Sequence, residues 1–137
     1  AFENLTGALI GQYNELSPSQ LSDEHKVNGE LTIGENIGDL GGLGIAFKAY
    51  EMMLGDREDV VIDGLTGRQR LFMSWAQAWR TKGRDEIMIQ RLATDSHAPA
   101  EFRCNQIVRN VQEFYDAFGV SEEDELWLAP QERVRIW

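Results

Sequence analysis

Val27-Asn28-Gly29-Glu30-Leu31-Thr32-Ile33-Gly34-Glu35-Asn36-Ile37-Gly38-Asp39-Leu40-Gly41-Gly42 is the stretch around which this chain is read. A polar lead-in gives way to an apolar run through Leu43, Ile45, Ala46, Phe47, Ala49 and Tyr50. Leu40, Leu43 and Phe47 recur at helical spacing, which predicts a helix from about Glu35 to Leu54, stopped near Gly55. On such a helix the carboxylates of Glu35 and Asp39 share one face, one turn apart. Two chemistries fit that pair. One is a helix start, with Thr32 and Glu35 as a capping box, or simply a solvated acidic face. The other is a metal site, with Glu35 as a ligand and Asp39 holding a second ligand in orientation. Spacing leaves both open. Gly41, Gly42 and Gly44 are costly inside a helix, so they predict either close approach of another backbone or a kink.

Outward from this stretch, the periodicity predicts more helices. Residues 1–16 place Phe2, Leu5, Leu9 and Tyr13 on one stripe. Residues 19–33 are polar, with Asn28-Gly29 as a turn signal between possible short strands. A charged loop covers residues 55–66. A helix from about Thr66 to Arg80 is apolar nearly all round, through Leu71, Met73, Trp75, Ala76, Ala78 and Trp79, and is expected to be buried. Further helices run from about Arg84 to Ala93, Ala100 to Asn110 and Val111 to Phe118. The fold class is mainly α, with at most short strands.

The 137 residues suit one domain with a real core, and an apolar content of 42% argues against disorder. A net charge of −10 and a pI near 4.6 exclude nucleic acid as an expected partner. No apolar run is long enough to span a bilayer. There is one cysteine, Cys104, hence no internal disulfide, which leans towards a reducing compartment such as a bacterial cytoplasm. The chain begins mid-pattern at Ala1-Phe2, so an upstream signal or membrane anchor stays open.

Asp95-Ser96-His97-Ala98-Pro99-Ala100-Glu101-Phe102-Arg103 is the second informative segment. It puts one of only two histidines in a loop just ahead of a helix, with an aspartate two residues before that can hydrogen-bond it. Without more, His97 also reads as a surface histidine, and Arg103 as a surface ion pair with Glu101 or Glu113. The other histidine, His25, reads as a loop residue.

Both segments resemble the neprilysin family of zinc metallopeptidases, which includes endothelin-converting enzyme and bacterial oligopeptidases. The first looks like the family's GENxxDxGG segment; the second carries every fixed position of D-x-H-x-P-x-x-F-R. Phe72-Met73-Ser74-Trp75-Ala76-Gln77-Ala78-Trp79 is similar, more weakly, to F-x-x-x-A-Q-x-W. The resemblance implies Glu35 as zinc ligand and Asp39 as the support of a zinc-bound histidine. It implies His97 as stabiliser of the oxyanion, Asp95 as its orienter and Arg103 as a hydrogen-bond donor to a substrate carbonyl. Trp79 would line the pocket for the residue after the cut, or simply pack in the core. The final helix and Trp137 match in a structural role. The tail lacks the cysteine of animal members, so the chain looks more like a bacterial one.

The family's HExxH motif, two histidine ligands and a general base, is nowhere in this sequence. The resemblance therefore implies that residues 1–137 are the C-terminal segment of the catalytic domain, with the HExxH-bearing half upstream in the same chain. The implied function is part of a zinc endopeptidase or oligopeptidase acting on peptides. Zinc is expected in the full-length enzyme and not at the catalytic site of this segment alone, which is expected to be inactive. The alternative is a non-catalytic helical module that keeps the fold and acts in binding or regulation.

Overall fold

The computed structural model describes residues 2–136. Ala1, the first residue of the expected N-terminal helix, and Trp137, expected in a structural role, lie outside the described residues. Six α-helices follow one another: α1 (Phe2–Asn14), α2 (Gly29–Leu54), α3 (Gly67–Ala78), α4 (Asp85–Thr94), α5 (Ala100–Val108) and α6 (Gln112–Phe118). A short 3-10 turn at Pro130–Glu132 precedes the C-terminus. Among the described residues there is no strand, only an isolated antiparallel bridge between Ile62 and Leu65. Asp63 and Gly64 close that bridge at φ 53° and 79°, the left-handed pair that a tight hairpin turn requires.

Helix α2 is the axis of the fold. At 26 residues it is roughly 39 Å long. Thr32, Asn36, Asp39, Leu40, Leu43, Phe47 and Leu54 are buried along one face, against α1 and α5, with α3 meeting α2 further along. Leu9 and Tyr13 of α1, Leu43 of α2, Ile107 of α5 and Val134 of the tail are fully enclosed. Each such apolar side chain contributes about 1.5–3 kcal/mol by leaving water. Phe72 of α3 stacks on Phe47 at 5.6 Å and meets Phe114 of α6 edge-on at 5.6 Å, which joins the two halves of the bundle.

Three expectations need correction. First, α2 starts six residues earlier than its apolar spacing predicts. Asn28 is the N-cap: its side chain accepts from Leu31 N at 3.0 Å. Asn28-Gly29 is therefore a helix start and not a turn between strands. Gly29 is needed because α1 crosses there; a Cβ on it would sit 2.5 Å from the Ile10 carbonyl oxygen. Thr32 lies inside the helix, where its hydroxyl donates to Asn28 O and accepts from Asn36 Nδ2, so no Thr32–Glu35 capping box forms.

Second, the glycines of the GG stretch do not all mark close packing. A Cβ at Gly42 or Gly44 would meet open space, and the helix runs through them. Third, α3 is not buried all round. Only Gly67 and Phe72 are enclosed, and Met73 is 42% exposed. The helix packs on α2, α5 and α6 along its inner side, and the rest of its apolar girth faces outward. Its start carries a true capping box, in which Thr66 Oγ1 accepts from Gln69 N and Gln69 Oε1 accepts from Thr66 N.

Candidate functional site

The buried start of α2, the loop after α4 and the first turn of α5 converge on one surface. Asp39 belongs to the buried face of α2, and Glu35, one turn earlier, sits at its edge. The chain reaches them again 64 residues later at Arg103, on α5. Arg103 Nε donates to Asp39 Oδ2 at 2.6 Å and Nη2 to Oδ1 at 2.8 Å, a two-pronged pair whose side chains are 16% and 10% exposed. The pair with Asp39 raises the Arg103 pKa further above its ordinary value. This replaces the simpler expectation of a surface pair with Glu101 or Glu113; Glu101 instead accepts from the backbone and hydroxyl of Ser19.

His97 lies in the loop between α4 and α5. Its backbone N–H donates to Asp95 Oδ1 at 2.9 Å, and its Nδ1 meets the same oxygen at 2.7 Å. One carboxylate oxygen thus pins both the loop and the ring. These contacts from His97, backbone first, hold the Asp95 carboxyl below the usual carboxylate range. With Nδ1 so engaged, Nε2 is the ring atom turned towards α2, 3.4 Å from Glu35 Oε2. Arg103 Nη2 is 3.6 Å from the same oxygen. Glu35 and His97 remain about half exposed, 44% and 46% by side chain, and these contacts are long.

Trp79, at the C-terminal end of α3, comes to the site beneath Arg103, whose guanidinium carbon lies 4.2 Å from the ring centroid. Its indole Nε1 is buried without an acceptor. Sequence reasoning missed one contributor, Tyr13. It is fully enclosed, and its hydroxyl donates to Phe102 O at 3.3 Å, behind the Asp39–Arg103 pair. Burial first, and then the Asp39 charge, push its pKa up, so it stays a neutral strut. The available signal was a tyrosine ending the apolar stripe of α1, a position that needs a partner for its hydroxyl. His25 is away from this surface, in the turn beside Glu24.

The six expected site residues, Glu35, Asp39, Trp79, Asp95, His97 and Arg103, are therefore in one neighbourhood. Asp39 meets an arginine there, and not a histidine, although a carboxylate with four acceptor positions has room for another donor. Among the described residues no three of His, Cys, Asp and Glu gather into a metal-binding group. Glu35 suits one metal ligand: it is accessible, and no closer contact ties down its carboxylate. A catalytic zinc site takes three protein ligands, so this chain fits a share of such a site. No helix among the described residues is long and apolar enough to cross a membrane.

The family model for peptidase family M13 matches residues 1–134. A neutral endopeptidase of Lactococcus lactis subsp. cremoris is 39% identical over 137 residues, covering all of this chain and 20% of that protein. Human neprilysin is 32% identical over 139 residues, covering 99% of this chain and 18% of its own length. The chain thus spans about a fifth of the length of the curated relatives it matches. Among solved structures, the Mycobacterium tuberculosis zinc metalloprotease Zmp1 in complex with an inhibitor superposes with a TM-score of 0.95 at 55% identity, over 99% of this chain and 21% of that one. PepO from Lactobacillus rhamnosis superposes with a TM-score of 0.81 at 35% identity, over 99% of this chain and 20% of that one.

Proposed function

The chain belongs to peptidase family M13, and from that premise we propose that it forms one wall of a zinc endopeptidase active site acting on peptides. The opposite wall, with two histidine ligands and the general base, belongs to an HExxH-bearing half upstream in the same full-length protein. The observation that carries this reading is the meeting of Glu35, His97 and Arg103 from separate elements, with Glu35 and His97 still accessible.

The position of each residue supports its role. Glu35 is the third zinc ligand. Zinc, when bound, polarises the scissile carbonyl and lowers the pKa of water. His97 is held by Asp95 so that Nε2 faces the Glu35 carboxylate, where it can donate to the oxygen that becomes negative as the carbonyl is attacked. Arg103 is held rigid by Asp39 and Trp79, and its edge towards Glu35 donates to a substrate backbone carbonyl without reading a side chain. Trp79 supports the arginine and gives an apolar wall to the residue after the cut. Asp39 fixes Arg103 and, with its spare acceptor positions, steadies a zinc-bound histidine of the upstream half. The segment alone holds one ligand, so it binds no zinc at the catalytic site and cleaves nothing by itself.

Steady-state kinetics on one peptide test these roles in the full-length protein. His97→Ala is expected to keep zinc and hold KM within a few-fold while kcat falls about 100–1,000-fold, because it acts on charge formed in the transition state. Arg103→Ala is expected to raise KM as well, because it binds a carbonyl present in the ground state. Turnover of His97→Ala equal to that of the unmutated protein would remove His97 from the chemistry.

A further inference from the structure

Leu9 and Tyr13 are the two buried residues of α1, and packing alone asks only for an apolar side chain at each. Phenylalanine would fill the space that Tyr13 fills. A hydroxyl taken into the interior is costly unless it is used. It donates to Phe102 O at 3.3 Å, across 89 residues of chain. That carbonyl belongs to the peptide unit that joins Phe102 to Arg103. The other half of the unit, the Arg103 N–H, donates to Pro99 O at 3.1 Å. The peptide from which the Arg103 side chain springs is therefore held twice, once within the turn that opens α5 and once from α1. Next to Tyr13, α1 is itself fastened to α2. Asn14 Oδ1 accepts from Gly29 N at 2.7 Å, and Leu16 O accepts from Val27 N at 3.0 Å. Glu35 stands on α2 and Arg103 on α5, so Tyr13 braces one element against the other. Burial first, and then the Asp39 charge, raise the Tyr13 pKa while Arg103 pulls it down, so the hydroxyl keeps its proton and stays a donor.

We propose that the Tyr13 hydroxyl is a positioning group of the active site, which sets where the Arg103 guanidinium stands relative to Glu35 and to the carbonyl of a bound peptide. The inference rests on the peptidase reading above. Asp39 fixes the tip of the arginine side chain, and Tyr13 fixes its root. A long side chain pinned at the tip alone leaves its backbone free to slide. Pinned at both ends, it presents its remaining N–H edge at one height. A displacement of about 1 Å at a reacting centre can cost about 100-fold in rate, so a brace can matter without touching substrate. Tyr13 is fully enclosed, and its effect on substrate passes through Arg103.

The test is a double-mutant cycle in the zinc-loaded full-length protein, read as steady-state kinetics on one peptide. Tyr13→Phe keeps the ring and removes the hydroxyl. It is expected to raise KM about 3–10-fold, the effect of losing one hydrogen bond, with kcat within about 2-fold and zinc content unchanged. In an Arg103→Ala background the same substitution is expected to move KM by less than about 1.5-fold, because the group it positions is gone. If Arg103→Ala does not fold, Arg103→Lys serves as the background. It keeps a charge beside Asp39 without the planar fork, and the effect of Tyr13→Phe there is expected to fall below about 2-fold. Leu9→Val, one turn earlier on α1 and equally enclosed, loosens the same helix without touching the hydroxyl and is expected to leave KM as it was. A purely structural hydroxyl would lower Tm and leave KM unmoved. A KM in Tyr13→Phe equal to that of the unmutated protein, an equal rise in both backgrounds, or the same rise in Leu9→Val would overturn the proposal and leave the peptidase reading intact. Failure of the unmutated, zinc-loaded protein to cleave any peptide would overturn both.

Discussion

Two arginines clasp helix α2 in the same way at different heights. Near its end, Arg68 donates through Nε and Nη2 to the two oxygens of Glu51, at 2.7 and 3.0 Å. Nearer its start, Arg103 donates through the same two atoms to Asp39, at 2.6 and 2.8 Å. Their surroundings differ. Around Arg68 every partner is satisfied within the chain. Asp59 accepts from Tyr50 Oη at 2.6 Å and from the backbone of Gly67 and Arg68, and the Tyr50 hydroxyl above all holds the Asp59 carboxyl below its ordinary range. That cluster ties the loop after α2 to the start of α3 through bonds closed within the chain. Around Arg103, Glu35 and His97 stand half exposed, and Glu35 meets His97 and Arg103 only at 3.4 and 3.6 Å. A saturated polar cluster is a fastening. A partly used one, with an accessible carboxylate and imidazole, is where chemistry belongs.

Substitutions at the two clasps should separate them. The largest effect is expected from Asp39→Asn in the full-length protein. It keeps the side-chain volume, loses the two-pronged anchor of Arg103 and loosens the support of a zinc-bound histidine. Zinc affinity or activity is expected to fall about 10–100-fold with the metal still bindable. Unchanged kcat/KM and zinc titration would place Asp39 among the fasteners.

A smaller effect, and in a different quantity, is expected from Arg68→Met. Its pair with Glu51 is more than a third exposed on both sides, so solvent screens it and the loss is about 1 kcal/mol of stability. Chemical denaturation should register that loss while kcat and KM stay as they were. A fall in turnover at equal zinc content would mean that the fastening reaches the site.

The smallest effect concerns pH. Asp95 has its pKa depressed in the folded chain by His97, so it contributes stability above its unfolded value, near pH 4. That contribution disappears as pH falls through the folded value, because the unfolded chain then takes up the proton more readily. The difference in Tm between the unmutated protein and Asp95→Asn should be level from pH 5 to 7 and narrow below about pH 4. A difference that widens with acid would contradict the depressed pKa.

The sequence made local relations legible and left distant ones hidden. Leu40, Leu43 and Phe47 announce α2 because a helix repeats its buried face every three or four residues. Asp95 and His97 are two apart, so their bond could be expected from the chain itself. Asp39 and Arg103 are 64 residues apart, and no spacing rule pairs them. Only the crossing of α5 over α2 does that; sequence alone offers Arg103 the nearer carboxylates of Glu101 and Glu113. Tyr13 stayed in the apolar stripe for the same reason. The start of α2 is ambiguous in sequence because Asn28-Gly29 is equally a turn dipeptide and a cap followed by a glycine, and the choice depends on α1 crossing over Gly29. The Thr66–Gln69 capping box is carried by four consecutive residues, and Thr32 with Glu35 shows the same pattern without forming one, so the pattern alone does not tell the two apart.

Glu35 as a zinc ligand is the centre of the proposed site, and zinc content tests that directly. Glu35 and Glu51 occupy the same helix, one at the accessible site and one inside the Arg68 clasp. Metal analysis of the purified full-length protein after dialysis against a weak chelator should find stoichiometric zinc in the unmutated protein and in Glu51→Gln. It should find zinc largely lost from Glu35→Gln, which keeps the shape and removes the charge of the ligand. Full zinc occupancy in Glu35→Gln would contradict the assignment and with it the proposed active site.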